Sequence, residues 1–302
     1  VRSGRVKRGH QAGFVMDAPA GTKGFLELKW SGRARRRDCR YALQMYSVGP
    51  DGSLVRKIRN WRANSNCAKA DNKAQIAQVG GIRTPVPFAM PGATRIVQRS
   101  VCVGGSRKHF CTARSINRIQ TFSAAATVAD ATQPSVSIVQ DNPFTQGTWV
   151  SSGTQSVGYT VSDNVGVKTA EVAGLPAARH IRSCNYTQTV PCTNDPGRVD
   201  VDTSRLGEGT QPLVVRAVDA ADNAADSQPV TVRIDRAAPA APAVSVEGGE
   251  QWRSQNSFGV SWQNPDEGDR APITAAHWRL CRPDGSSCTT GSQTGTGIAG
   301  LP

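Results

Sequence analysis

The chain is poor in the residues that carry most catalysis. It has 4 histidines and 3 methionines among 302 residues, aromatic residues make up only 6%, and long apolar runs are missing. No stretch approaches the roughly 20 apolar residues of a membrane-spanning helix, since the run Phe122 to Ala129 is short and carries Ser and Thr. A membrane-embedded helical protein is therefore excluded. His10, His109, His180 and His277 are scattered, and there is neither a His-x3-His pair nor a Gly-x-Ser-x-Gly elbow. The residues thus predict no enzyme and no catalytic set. A sustained 3.6-residue apolar stripe of helical length is also missing. The opening Val-Arg-Ser-Gly-Arg-Val-Lys-Arg has no apolar core of a leader peptide and reads as chain interior, as in a fragment or processed product.

What is present is unevenly placed. Residues 1–120 hold 24 Lys/Arg against 5 Asp/Glu, a net of +19, while residues 121–302 hold 12 against 18, a net of −6. Any anionic partner should therefore meet the first part of the chain.

The 8 cysteines fall into local pairs: Cys39 with Cys67, Cys102 with Cys111, Cys184 with Cys192, and Cys281 with Cys288. The last three pairs bracket short polar loops rich in turn formers, which suits disulfide-stapled hairpins. Zinc would need Cys-x2-4-Cys pairs in twos, or His at ligand spacing, and neither occurs. No metal and no cofactor is expected, and disulfides place the chain in an oxidising, extracellular compartment.

Alternating strand-like runs recur about every ten residues. The first region reads as strands at Gly13 to Met16, Gly24 to Trp30, Arg40 to Val48, Leu54 to Asn60, Gln75 to Val79, Thr94 to Val103 and Ile116 to Val128. The segments "GPDG" and "TPVPFAMPGA" read as loops. A second set of strands begins after Asp130, and "DRAAPAAPAV", with Pro239 and Pro242 among alanines, reads as a stiff linker. The expected fold is all-β: tandem β-sandwiches comprising a basic jelly-roll-like or lectin-like unit (1–130), an Ig-like unit (131–236) and an incomplete Ig-like or fibronectin III-like module (237–302).

Two segments carry a family resemblance. "VSDNVGVKTAEV" and "VVRAVDAADNAADSQPVTVRID" resemble the turn and terminal hairpin of bacterial immunoglobulin-like repeats found in extracellular, especially actinobacterial, proteins, with Ala224 where glycine is common. "VSWQNPDEGDRAPITAAHWRLC" is similar to fibronectin type III modules. The resemblance implies an extracellular modular chain and names no binding residue.

Among possible sites, Asp163, Asn164, Asp219, Asp222 and Asn223 have the chemistry of calcium ligands but read first as turn residues. Gly295, Gly297 and Gly300 match a dinucleotide pattern without the following helix it needs. The strongest pattern is cationic: Arg33, Arg35, Arg36, Arg37 and Arg40, then Arg56, Lys57, Arg59, Trp61 and Arg62, with Trp30 ahead of the run. If the two segments are neighbouring strands, their Arg residues form one patch for phosphates or carboxylates. Trp30 is expected in the core. The expected partner is an anionic polysaccharide or wall polymer, with no specific nucleic acid. The expected function is non-catalytic: adhesion or wall association through the basic unit, with Ig-like spacers. The alternatives are accessory modules of a larger extracellular hydrolase and a purely structural stalk.

Overall fold

A computed structural model describes residues 4–61, 75–104, 109–112 and 117–301. Arg62 and Cys67 lie outside the described residues. The described chain is all-β apart from one short 3-10 turn at Thr203–Arg205, in tandem sandwiches.

The first unit comprises β1 (Arg5–Lys7), β2 (Gln11–Asp17), β3 (Phe25–Arg36), β4 (Tyr41–Val48), β5 (Leu54–Trp61), β6 (Gln75–Val79), β7 (Val86–Ala93), β8 (Arg95–Cys102), β9 (Phe110–Thr112) and β10 (Arg118–Val128). One sheet runs β2-β8-β4-β5. The other runs β10-β3-β6, with β7 also on β3. Between them pack Leu28 and Trp30 of β3, Met45 of β4, Ile58 of β5, Met90 of β7 and Ile96 of β8. Each contributes about 1.5–3 kcal/mol by leaving water, before ordering costs. A second cluster continues this core through Ala34, Tyr41, Leu43, Cys102 and Cys111.

Two expectations change here. Val86–Ala93 is a strand rather than a loop, despite Pro87 and Pro91. Among the described residues it pairs only with β3, and an edge strand tolerates residues that cannot donate to a ladder. β3 also continues past Trp30 through the Arg run. Gly32, Ala34 and Arg36 share the inward face with Trp30, so the run keeps a period of two behind its polar letters.

The second unit comprises β11 (Ser135–Val139), β12 (Trp149–Val150), β13 (Thr154–Ser162), β14 (Val167–Val172), β15 (Leu175–Ile181), β16 (Gly197–Asp202), β17 (Gly209–Leu213), β18 (Val215–Asp219), β19 (Ala224–Asp226) and β20 (Val230–Ile234). Its sheets run β11-β13-β16, β15-β14-β18-β19 and β12-β20-β17. β17 and β18 form one long excursion broken at Val214. β19 and β20 form its return, broken at residues 227–229. The short β12 runs parallel to β20, and every other pairing in the unit is antiparallel. This is the connectivity of an Ig-like sandwich. Its core holds Phe144, Val157, Tyr159, Val167, Val215 and Val232, all with no exposed surface.

The third unit comprises β21 (Ala243–Val246), β22 (Phe258–Gln263), β23 (Ala276–Leu280), β24 (Thr289–Gln293) and β25 (Gly297–Leu301). A β21-β22-β25 sheet faces a β23-β24 hairpin across an apolar cleft lined by Val244, Phe258, Trp262, Trp278 and Ile298. Gly297 and Gly300 therefore belong to a strand and form no phosphate-binding turn.

The units touch. Thr132 Oγ1 donates to the Gly21 carbonyl at 3.3 Å, and Asp269 accepts from the backbone and hydroxyl of Thr210 at 2.7 and 2.8 Å. Disulfides join Cys102 to Cys111, Cys184 to Cys192 and Cys281 to Cys288, the pairs expected from spacing. Cys39 is also disulfide-bonded. No helix among the described residues is long and apolar enough to cross a membrane.

Candidate binding face

The cationic run does not assemble as one patch. β3 and β5 belong to opposite sheets, so the neighbouring-strand arrangement that would merge their Arg residues is not the one formed. Within β3 the period of two separates the run further. Arg33 and Arg35 point outward, and Arg36, only 5% exposed, turns inward and donates to the Tyr41 carbonyl at 3.1 Å. Burial lowers the Arg36 pKa, as expected for a guanidinium taken from water. Arg33 donates Nε to Gln120 Oε1 at 3.0 Å and lies over the Phe122 ring. Arg35 stands opposite Arg118.

At the end of β3 the chain turns. The backbone N–H groups of Arg37 and Asp38 both donate to Asn117 Oδ1, at 2.8 and 3.0 Å. Arg40 is held by Asp38 and lies 5.4 Å from the Phe110 ring centroid. Arg36 and Arg40 are thus structural groups. Trp30 is 1% exposed and donates Nε1 to Thr121 Oγ1 at 2.9 Å, a core residue as expected.

On the opposite sheet, Arg56 and Lys57 are exposed and Trp61 closes β5 opposite Leu43. Lys57 sits across from Tyr46 of β4, which in turn sits across from Val97 of β8 and then Val15 of β2. The adjacent row is polar: Asn60, Gln44 and Arg99, with Gly13 at its end. Its members bond in sequence. Arg99 donates Nε to Gln44 Oε1 at 2.8 Å and a terminal NH to Gln11 Oε1 at 3.1 Å, and Gln44 donates to Asn60 Oδ1 at 3.3 Å. The Arg99 guanidinium lies 5.3 Å from the Tyr46 ring centroid. A row of planar amide and guanidinium groups thus crosses the outer face of the β2-β8-β4-β5 sheet, beside a row of aromatic, aliphatic and cationic side chains.

Gly13 is required in this arrangement. A Cβ there would lie 2.0 Å from the Gln98 carbonyl oxygen and 2.7 Å from Arg99 Cα. Of this face the sequence reading found Lys57 alone. Gln11, Gln44, Tyr46, Asn60 and Arg99 come from four strands, and only their outward alternation, Gln44-x-Tyr46-x-Val48 and Arg95-x-Val97-x-Arg99, could have flagged them.

Two other polar residues close local structure. The Asn185 side chain accepts from the Thr187 N–H and hydroxyl, closing a turn. His180 Nδ1 lies 2.7 Å from the buried Tyr159 hydroxyl. The terminal turn of the second unit places Asp222, not Ala224, in the left-handed position, at φ 75°. Ala224 begins β19.

A scan against protein-family models and a search of curated proteins each find no match. Among solved structures, a marsupial T cell receptor is similar over all of this chain and 92% of its own length, at 11% identity and a TM-score of 0.23. So slight a likeness carries no weight, and the Ig-like assignment rests on the strand order of the second unit.

Proposed function

We propose that the chain is an extracellular, non-catalytic modular protein whose first sandwich binds an acidic or hydroxyl-rich polymer across the outer face of the β2-β8-β4-β5 sheet, with Ig-like units as spacers. The observation that carries this reading is Arg99, aligned with Gln44 and Gln11 above Tyr46 on an outward sheet face. Planar donors and acceptors in a line can bond hydroxyls or carboxylates along an extended chain. The adjacent Tyr46, Val97 and Val15 offer apolar surface to sugar rings. Arg99 and Lys57 add the positive charge that favours acidic polymers. The disulfides and the resemblance to bacterial surface repeats support the extracellular setting.

The test compares retention of the full chain on heparin, teichoic acid and a neutral glucan with that of Arg99→Ala and Lys57→Ala. The control is Arg198→Ala, in the second unit. Retention by the wild type should fall with added salt on the acidic matrices and drop several-fold in both face variants, leaving the control unchanged. Equal retention of Arg99→Ala and wild type on all three matrices rejects the reading.

A further inference from the structure

Where the first unit hands over to the second, three carboxylates from distant parts of the sequence converge. Asp130 lies in the connector between β10 and β11, Asp163 opens the turn from β13 to β14, and Asp219 ends β18. One oxygen of each lies within 4.8 Å of the others. Acidic residues gathered this closely repel one another, and turn formation alone explains only part of how they are held.

Asp219 has no exposed surface and accepts three hydrogen bonds within its own turn, which leaves its carboxylate lone-pair capacity for a further contact. Its Oδ1 takes the N–H groups of Ala221 and Asn223 at 2.7 and 2.8 Å, and its Oδ2 takes the Asn223 amide at 2.8 Å. Asp163 differs. It is 9% exposed, its Oδ1 accepts from the Val165 N–H at 2.8 Å, and its Oδ2 is buried without any hydrogen-bond partner. Two more oxygens nearby share that condition, Asp130 Oδ2 and Asn164 Oδ1. The Asn164 amide nitrogen donates to Asp130 Oδ1 at 3.1 Å, while its side-chain carbonyl oxygen has no partner. Buried polar atoms are nearly always partnered, so three orphan oxygens beside one carboxylate cluster call for a positive ligand.

The geometry points to a calcium site formed by Asp130, Asp163, Asn164 and Asp219, which ties the inter-unit connector to the tip of the Ig-like unit. All candidate ligand atoms are hard oxygens, from carboxylates and an amide carbonyl. His and Cys ligands, which would favour zinc or copper, are absent from the group. Calcium also tolerates irregular coordination better than magnesium does. The neighbourhood is already built as a joint. Asn223 Nδ2 reaches the Asp130 carbonyl at 3.4 Å, and Thr132 bonds the Gly21 loop of the first unit. A cation at this point would fix the angle between the two units. The inference is independent of the polymer-binding face, which lies on a different surface of the first unit.

The test uses the full chain stripped with a chelator, then titrated with calcium chloride by calorimetry and thermal melting, with magnesium chloride and matched sodium chloride as controls. Calcium should bind at one site, with a dissociation constant of about 10⁻⁴ to 10⁻³ M, and raise the melting temperature by a few degrees. It should also protect the connector around residues 129–134 from limited proteolysis. Asp163→Asn and Asp130→Asn should each abolish the calcium-dependent shift, and Asp222→Asn, exposed on the same turn, should keep it. Asp130→Asn serves as the second probe should Asp163→Asn fail to fold. No heat and no shift up to about 10 mM calcium overturns the site. So does a shift reproduced by sodium chloride, or one that Asp130→Asn retains.

Discussion

Asp38 grips Arg40 with both carboxylate oxygens: Arg40 Nε donates to Oδ1 at 2.9 Å and a terminal NH to Oδ2 at 2.7 Å. The same carboxylate accepts the backbone N–H of Arg40 at 3.0 Å and that of Thr112 at 2.8 Å. One acidic side chain thereby fastens the β3–β4 turn to β9. Its side chain is 10% exposed, against 24% for Arg40, so the pair is shielded more than a surface ion pair. Asp38→Ala should lower stability by about 2–3 kcal/mol, since charged hydrogen bonds are lost and Arg40 keeps a partly buried charge. Chemical denaturation of the full chain measures it, and a change below about 0.5 kcal/mol would show the fork to be incidental.

The same residue predicts a pH dependence. Burial alone would raise the Asp38 carboxyl, but the hydrogen bonds from the Arg40 guanidinium and the Thr112 and Arg40 N–H groups outweigh it and hold the group below its ordinary value. A carboxyl lowered in the folded state stabilises fully above its unfolded pKa of about 3.9. That contribution is lost as pH falls through the lower folded value. The stability difference between wild type and Asp38→Asn should therefore be constant near neutrality and shrink below about pH 4. A difference independent of pH down to the acid transition would assign the effect to packing.

Trp30 separates core from ligand chemistry in the first unit. Its ring packs so closely on Gly32 that a Cβ there would fall 2.4 Å from ring carbon Cζ2. Trp30→Ala should cost about 3–5 kcal/mol by opening a cavity between the sheets. Thr121→Val, which removes the acceptor of the indole N–H, should cost about 1–2 kcal/mol. Polymer retention at a temperature where Thr121→Val is folded should match wild type, because neither side chain faces the candidate surface.

How much of this was legible in the sequence depends on how local each feature is. The disulfide pairs and most strand positions follow from short-range spacing and alternation, so Cys102 and Cys111, or Tyr41 to Val48, could be read directly. Strand β7 could not, because Pro87 and Pro91 signal a loop unless the strand is known to be an edge. The binding face was hidden for a different reason: Gln11, Gln44, Asn60 and Arg99 meet only after four strands are ordered β2-β8-β4-β5. The dense Arg run drew attention instead, yet alternation sends Arg33 and Arg36 to opposite faces. The convergence of Asp130 on Asp163 and Asp219 likewise needs the handover between two units to be folded.

The turn from β13 to β14 makes a further demand on one residue. Gly166 sits at φ 78°, and a Cβ there would lie 1.9 Å from the Cys192 carbonyl oxygen. Backbone conformation and space both refuse a side chain, and the obstacle is main chain, which cannot step aside as a flexible side chain could. Gly166→Ala should therefore cost at least about 2–3 kcal/mol, more than left-handed strain alone. Gly174→Ala is the control, since that residue has φ 82° but open space. It should cost only about 1 kcal/mol. Equal losses for the two variants would show that the approach to Cys192 relaxes freely.

The disulfides Cys102–Cys111, Cys184–Cys192 and Cys281–Cys288 should differ in how readily they are reduced. Thiol attack needs a thiolate to reach a sulfur, so access orders the rates where the attacking reagent is the same. Cys102 and Cys111 have no exposed surface and pack against Ala34 and Leu43. Cys192 is 4% exposed, beside a half-buried Cys184. Cys288 is exposed on the loop of the third unit. Under native conditions with limiting dithiothreitol, followed by alkylation and peptide mass spectrometry, label should appear first at Cys281 and Cys288, next at Cys184 and Cys192, and last at Cys102 and Cys111. Reduction of the last pair should coincide with unfolding of the first unit, because its sulfurs are part of that core. Early labelling of Cys102 while the unit keeps its near-ultraviolet circular dichroism would mean that β8 and β9 open without disrupting the sandwich.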